Sequence, residues 1–304
     1  MQITRAPRRH LSEAELLDCT RACPICLSAA PRHARVRVQR HPDVVMLECP
    51  ACRGCSASHM PRPEVLRELY ARYYDGFGRE TTFANAARFA RHLVRLLPRD
   101  APPRSLRILD YGGGDGSLSL AVAERLIAFG RASEAAIDVV DFVQREERRT
   151  ANVTVRFRTP AEPPSEPYDL VLASAILEHV PELHALLRAL VAAIAPHGLF
   201  YARTPYAIPL TRLLPRLDLT YPAHVHDLGS PFWNRVAETF GWPVRVVASR
   251  PSLVAGTLTG DPLRAVAALA LKWPAHVESF FSPRARMGRL WHLAGGWEVV
   301  LRRK

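Results

Sequence analysis

The chain has 304 residues, 48% of them hydrophobic and 23% charged, with a formal charge of +12; this composition suits a globular protein of one large domain, or one large and one small. Lys272 and Lys304 are its only lysines, and the arginines are scattered along the chain rather than gathered into an arm, which weighs against nucleic acid as the main partner. The most apolar runs, "LLRALVAAIA" and "LRAVAALALKW", are shorter than the ~20 residues of a membrane span, and "MQITRAPRRHLSEAELL" has no apolar stretch of signal-peptide length, so a soluble, cytoplasmic protein is expected.

All six cysteines precede residue 56, and in a reducing compartment metal ligation is expected of them before disulfides. "ACPIC" supplies Cys23 and Cys26, and "ECPACRGC" supplies Cys49, Cys52 and Cys55. The stretch between them, "ARVRVQRHPDVVMLEC", alternates like a hairpin that turns at "HPD". Two Cys-x-x-Cys knuckles at this separation let four thiolates reach one ion, which stands in for a core too small to form alone. The expected ligands of a zinc ion are Cys23, Cys26, Cys49 and Cys52. Cys55 is a substitute in the register Cys52–Cys55, and Cys19 is a weaker extra. No histidine or carboxylate interrupts the knuckles, so a structural site is expected rather than a catalytic one.

"MPRPEVLRELYARYYDGFG" reads as a turn and a helix, "TFANAARFARHLVRLLP" as a second amphipathic helix and "RDAPPR" as a linker. From Leu106 onward strands and helices alternate. "LRILDY" is a strand and "SLSLAVAERLIAFG" its helix; "AAIDVVDF", the weaker "VTVRF" and "YDLVLAS" are further strands. The helix "PELHALLRALVAAIAP" and a fifth strand, "GLFYART", complete the series. This alternation predicts an α/β fold, a Rossmann-like, mostly parallel sheet with helices on both faces. The expected organisation is a zinc-binding module over 1–62, a helical connector over 63–103 and the α/β domain over 104–304.

"RILDYGGGDGSLSL" lies between the first strand and its helix, where open α/β sheets bind ligands. Its spacing, Asp-x-Gly-x-Gly-x-Gly, differs from the Gly-x-Gly-x-x-Gly of dinucleotide sites. The strand ends on Asp110, a carboxylate that repels phosphate and suits a cation. Asp141, after the second strand, is placed to accept bonds from ribose hydroxyls, with Asp138 as its neighbouring alternative. Ser174, at the end of the fourth strand, stands at the pocket mouth.

In their order, "ILDYGGGDGS", "DVVDF", "YDLVLASAILEHV" and "GLFYARTP" resemble the class I S-adenosylmethionine-dependent methyltransferases over residues 104 to 302. The knuckles followed by "MPRPEVLRELYARYY" resemble a bacterial subgroup with a zinc ribbon before this domain. The resemblance implies that Gly112, Gly114 and Gly116 pack against the methionine part of S-adenosylmethionine and that Asp110 orients the loop or the cofactor. It also implies that Asp141 holds the ribose, while Thr159 and Ala161 lie near the adenine. Relatives recognise the acceptor through the segment after the fifth strand, here "DLTYPAHVHDLGSPFW". One of His179, His224 and His226 is therefore expected to take the acceptor's proton, with Tyr221 and Trp233 forming the acceptor wall. The weighed alternatives are that Glu178 and His179 merely cap a helix, and that His224 and His226 ligate a second metal with Asp227.

The implied activity is methyl transfer to a small-molecule acceptor, with sugars or glycoconjugates foremost. An RNA methyltransferase is the first rival. Against it, the fourth strand runs into "ASAILEH" rather than an Asn/Asp-Pro-Pro-aromatic motif, and the cysteine module lacks a stacking strip of aromatic and basic residues. The second rival is a non-catalytic scaffold, opposed by the intact glycine series and Asp141.

Overall fold

The computed structural model describes residues 9–76, 85–98, 105–142, 145–160, 167–212, 217–252 and 295–304, with the helical positions 266, 270, 273, 274 and 277. The linker read in "RDAPPR" and the adenine-side residue Ala161 lie outside the described residues.

The alternating stretch between the knuckles forms a hairpin of β1 (His33–Gln39) and β2 (Val44–Glu48), with His33 opposite Glu48 and Gln39 opposite Val44. A short β3 (Cys55–Ala57) pairs with β2. Two helices follow, α1 (Pro63–Gly76) and α2 (Ala86–Leu96). Asn85 starts α2 by accepting a hydrogen bond from the Arg88 amide at 2.9 Å, and Phe89, Ala90, Leu93 and Val94 form its buried stripe.

The rest of the chain builds the large sheet and its covering helices and returns one strand, His226–Asp227, to the small sheet. Its elements are β4 (Ser105–Tyr111), α3 (Ser117–Ala128), β5 (Glu134–Val140), β6 (Arg148–Arg149), β7 (Val153–Arg158) and β8 (Tyr168–Ser174). They continue with α4 (Leu183–Ala192), β9 (Ile194–Tyr206), β10 (His226–Asp227), α5 (Ser230–Trp233), α6 (Val236–Phe240), β11 (Val244–Pro251) and β12 (Gly295–Arg303). Among the described residues the sheet order is β11-β12-β9-β8-β4-β5-β7-β6. Strands β9, β8, β4, β5 and β7 are parallel; β12 runs antiparallel between β9 and the edge strand β11, which thereby has the direction of the parallel set, and β6 is an antiparallel addition at the other edge. The expected mostly parallel α/β sheet is present, with β4 at the point where the strand order reverses.

Both faces of the sheet are covered, which explains why its strands read as continuous apolar runs. Ile108, Leu170, Leu172, Tyr201 and Val300 share one core with α2 and α3. Their neighbours Leu109, Val171, Ala173, Phe200 and Val299 share another with α4 and α5. That second core also contains Cys23, Ile25, Cys49 and Cys52, so the knuckles are packed onto the sheet's own covering layer. Gly54 marks the close approach: a Cβ there would lie 2.6 Å from Ile25 and 3.3 Å from Leu228 and Phe232.

The small sheet is not made of N-terminal residues alone. Its order is β1-β2-β3-β10, in which His226 pairs with Ser56 and Asp227 with Cys55. The fourth strand thus comes from the segment after β9. A pairing between residues so far apart leaves no local pattern, and β10 is not among the strands expected from the sequence.

Candidate functional site

The glycine loop leaves the carboxyl end of β4 and is tied down at once. Gly112 donates to the Val140 carbonyl at 2.8 Å and Gly114 to Asp141 Oδ2 at 2.8 Å, so both bonds go to the end of β5. Gly112, Gly114 and Gly116 have φ of 70°, 59° and 69°, the left-handed region where a side chain is strained. Space is as tight as conformation. A Cβ on Gly112 would sit 2.5 Å from Ile176, and one on Gly113 would overlap the Asp110 carboxyl group. The loop then enters α3, where Asp115 Oδ1 accepts from the Ser117 amide at 3.1 Å and Arg148 donates to the Asp115 carbonyl.

Three buried acids, Asp110, Asp115 and Asp141, surround this loop. Asp110 Oδ2 has no hydrogen-bond partner. Burial, reinforced by the neighbouring carboxylates of Asp141 and Asp115, pushes the Asp110 carboxyl up to about 6. Ser119 hydrogen-bonds this carboxyl without satisfying Oδ2, and a buried carboxylate with a spare oxygen beside backbone that admits no side chain suits a cationic ligand and disfavours a phosphate. Asp138 has no share in this: it accepts from Arg158 Nε at 3.0 Å and Tyr168 hydroxyl at 2.9 Å within the sheet. Ser174 is buried at the end of β8, where its hydroxyl accepts from Arg203 Nε at 3.3 Å. Thr159 follows directly on β7 and is partly buried.

On the acceptor side the structure separates the expected residues. The segment Ala223–His226 is clamped against the turn Leu177–His179 by three hydrogen bonds. His179 Nδ1 bonds the Ala223 carbonyl at 2.9 Å, the Val225 amide donates to the Glu178 carbonyl at 2.8 Å, and His226 Nε2 bonds the Val180 carbonyl at 2.9 Å. His179 and His224 meet edge to face with ring centroids 4.7 Å apart. His226, one of the expected proton acceptors, is buried at the wall of a cavity, with Nδ1 also engaged by Ser56 Oγ at 2.9 Å, and so acts as a strut between the small sheet and the turn after β8. Burial lowers its pKa to about 4.

Two further expectations are corrected by burial. Trp233 is wholly enclosed and donates from Nε1 to Thr204 Oγ1 at 3.0 Å, so it is core rather than acceptor wall. Tyr221 packs with Met46, Cys55 and Val225 and donates to the His59 carbonyl at 3.1 Å. Asp227 lines one cavity with His224 and His226, but its Oδ2 accepts from the Ala207 and Ile208 amides at 2.6 and 3.3 Å, and it is not among the side chains whose ligand atoms converge with His224. A cavity of about 160 Å³ opens here, lined by Met46, Pro205, Leu219, Thr220, His224 and Gly295 among others.

The sulfurs of Cys23, Cys26, Cys49 and Cys52 lie within 4.8 Å of one another. Cys23 and Cys52 are 3.8 Å apart, and Cys26 and Cys49 3.6 Å. A zinc ion with bonds of about 2.3 Å requires sulfur–sulfur edges of about 3.8 Å in a tetrahedron, so the donor set fits zinc. The knuckles repeat one another in detail. Leu27 and Arg53, each following the second cysteine of its pair, take φ of 62° and 63° and donate to the carbonyls of Cys23 and Cys49 at 2.8 and 2.9 Å. Cys55 is instead buried beneath the small sheet, where desolvation holds its thiol well above the ordinary range, and Cys19 is exposed. Neither joins the cluster.

Residues 81–245, more than half of the chain, match the family described as a methyltransferase domain. The chain belongs to that family. Among curated proteins the methyltransferase domain resembles the ubiquinone biosynthesis O-methyltransferase of Paramagnetospirillum magneticum, 32% identical over 117 residues that cover 38% of this chain and 47% of the relative. The protein of the same name from Xanthomonas campestris is 33% identical over 150 residues, 43% of this chain and 62% of that one. The chain thus spans about half to three fifths of the length of these relatives. Among solved structures it is similar to the plantazolicin methyltransferase BamL, with 12% identity, a TM-score of 0.44 and coverage of 80% of this chain and 91% of that one.

The methyltransferase domain also uses residues that sequence reasoning did not single out. Ile176 and Arg148 confine the glycine loop from the sides, and Gly113 makes room for Asp110. Only Gly113 had a sequence signal, as the unassigned member of the glycine series. Ile176 and Arg148 act through proximity that no spacing announces.

Proposed function

We propose that the protein transfers a methyl group from S-adenosylmethionine to a small-molecule acceptor. The observation that carries this reading is the set of buried carboxylates around a glycine loop too tight for side chains, with Asp110 Oδ2 unpartnered. Asp110, the backbone of Gly112, Gly114 and Gly116, and Ser174 would hold the methionine end; Asp141 would hold the ribose and Thr159 would border the adenine. The cofactor supplies a methyl group already activated on a sulfonium. What remains for the chain is to orient the acceptor, exclude water and accept a proton.

An oxygen acceptor is the favoured class. The relatives' names support it. His179 and His224 are both partly exposed. We assign the proton-accepting role to His179 rather than to His224 or His226, whose pKa values burial lowers to about 3 and about 4. Sugar and glycoconjugate hydroxyls belong on the acceptor panel beside phenols. The test is calorimetry with S-adenosylmethionine, followed by transfer of labelled methyl to that panel. Micromolar or tighter binding and labelled product are expected; absence of cofactor binding in metal-replete protein overturns the reading.

The four cysteines would hold a structural zinc. Its chemistry is confined to crosslinking, since all four positions are taken by thiolates.

A further inference from the structure

Glu178, His179 and His224 converge although they come from two separate segments. One ligand atom from each lies within 4.8 Å of the other two. His179 Nε2 is 4.0 Å from Glu178 Oε1. Glu178 is only 3% exposed, and its Oε2 has no hydrogen-bond partner among the described residues. A buried carboxylate oxygen left in this state is costly unless something outside the chain satisfies it.

The imidazoles are prepared in a way that a cap would not require. His179 spends Nδ1–H on the Ala223 carbonyl, which fixes the ring and leaves the Nε2 lone pair towards Glu178. The three backbone and side-chain bonds that clamp Ala223–His226 to the turn hold His224 against His179. Two nitrogens and one carboxylate oxygen select borderline ions such as Zn²⁺ over Mg²⁺ or Ca²⁺, which prefer oxygen throughout. The present separations are wider than the ~3.3 Å edges of a tetrahedron with bonds of about 2.0–2.1 Å, so ligation would draw the groups inward.

We propose that Glu178, His179 and His224 form a second metal site, a two-histidine, one-carboxylate centre for a borderline divalent transition ion. It lies beside the cofactor loop, because Ile176, two residues before Glu178, is the side chain that abuts Gly112. Three protein ligands leave a coordination position for an outside oxygen donor, and His224 also lines the 160 Å³ cavity. Binding of the ion does not depend on the methyl-transfer reading. Use of the open position for an acceptor hydroxyl does rest on it, and there the ion, which would occupy the Nε2 lone pair of His179, would replace that imidazole by lowering the hydroxyl's own pKa.

The test is titration with Co²⁺ of protein that retains its cysteine-bound zinc and has been briefly washed with a weak chelator. One further equivalent is expected, with visible d–d bands but without the near-ultraviolet thiolate-to-cobalt band of a cysteine site. Glu178→Gln and His224→Gln should each weaken this binding at least about tenfold, while one zinc per chain and the circular dichroism spectrum are retained as checks on folding. No second equivalent, a thiolate charge-transfer band, or unchanged binding in both folded variants overturns the proposal. Because the readout needs neither S-adenosylmethionine nor acceptor, its failure is distinct from failure of the methyl-transfer reading.

Discussion

The cysteine knuckles and the glycine loop both hold ligand groups on turns with left-handed backbone, yet they pay for that backbone differently. In the knuckles the left-handed residues are Leu27 and Arg53, ordinary side chains with room to point outward. Repeated backbone bonds and, with zinc bound, the four thiolates over-determine the turn. In the loop the left-handed residues are glycines, and at Gly112 and the neighbouring Gly113 a Cβ would strike Ile176 or Asp110. A knuckle is complete within six residues or so; the loop works only where β5, the Leu177 turn and Arg148 close around it. Self-contained turns tolerate side chains, whereas a turn enclosed by distant elements on every side does not.

The largest expected effect breaks the comparison at its strongest point. Cys49→Ser, or stripping of zinc, should remove a binding energy on the order of 10 kcal/mol and disorder more than the N-terminal module. Because β10 pairs with β3, hydrogen exchange should accelerate together over 44–57 and 221–228 while the glycine loop keeps its protection. Acceleration confined to the residues before 62 would mean that the knuckles are as independent as their sequence suggests.

Gly112→Val comes next. It combines a strained φ with a collision against Ile176, and cofactor affinity measured by calorimetry should fall at least about tenfold. The matching change in a knuckle, Leu27→Gly, should leave zinc content unaltered. Asp141→Ala should weaken cofactor binding by about 1–3 kcal/mol, part of it from leaving the Gly114 amide without an acceptor.

His226→Ala should lower stability by about 1–3 kcal/mol, since Ser56 Oγ and the Val180 carbonyl lose their partner. As a strut it should leave the pH profile of turnover in place. A profile displaced in this variant, with melting temperature unchanged, would restore His226 to the chemistry.

The smallest effect is a pH dependence at Asp110. Its folded pKa, about 6, is above the model-peptide value of 3.8. Its contribution to stability is therefore present below that lower value and lost as pH rises through about 6. Affinity for a cationic cofactor should move the opposite way, because the carboxylate is the attracting form. Between about pH 5 and pH 7, S-adenosylmethionine should bind a few-fold more tightly as apo stability declines. Asp110→Asn should flatten both curves.

What could be read from the residues alone was whatever is set by short range or by period. The knuckle spacing, the glycine series after an apolar strand and the strand–helix alternation led to the cluster of four cysteines, the tight loop after β4 and the α/β sheet. Each follows from contacts within a turn or from which side chains share a face. Other features depended on which distant segments the folded chain brings side by side. Cys55 faces a core and not the metal because β3 lies between β2 and β10. His226 is a strut because its two partners are 170 and 46 residues away. Glu178, His179 and His224 converge only once the segment after β9 has folded back over the end of β8, an adjacency that long-range packing imposes and no local pattern encodes.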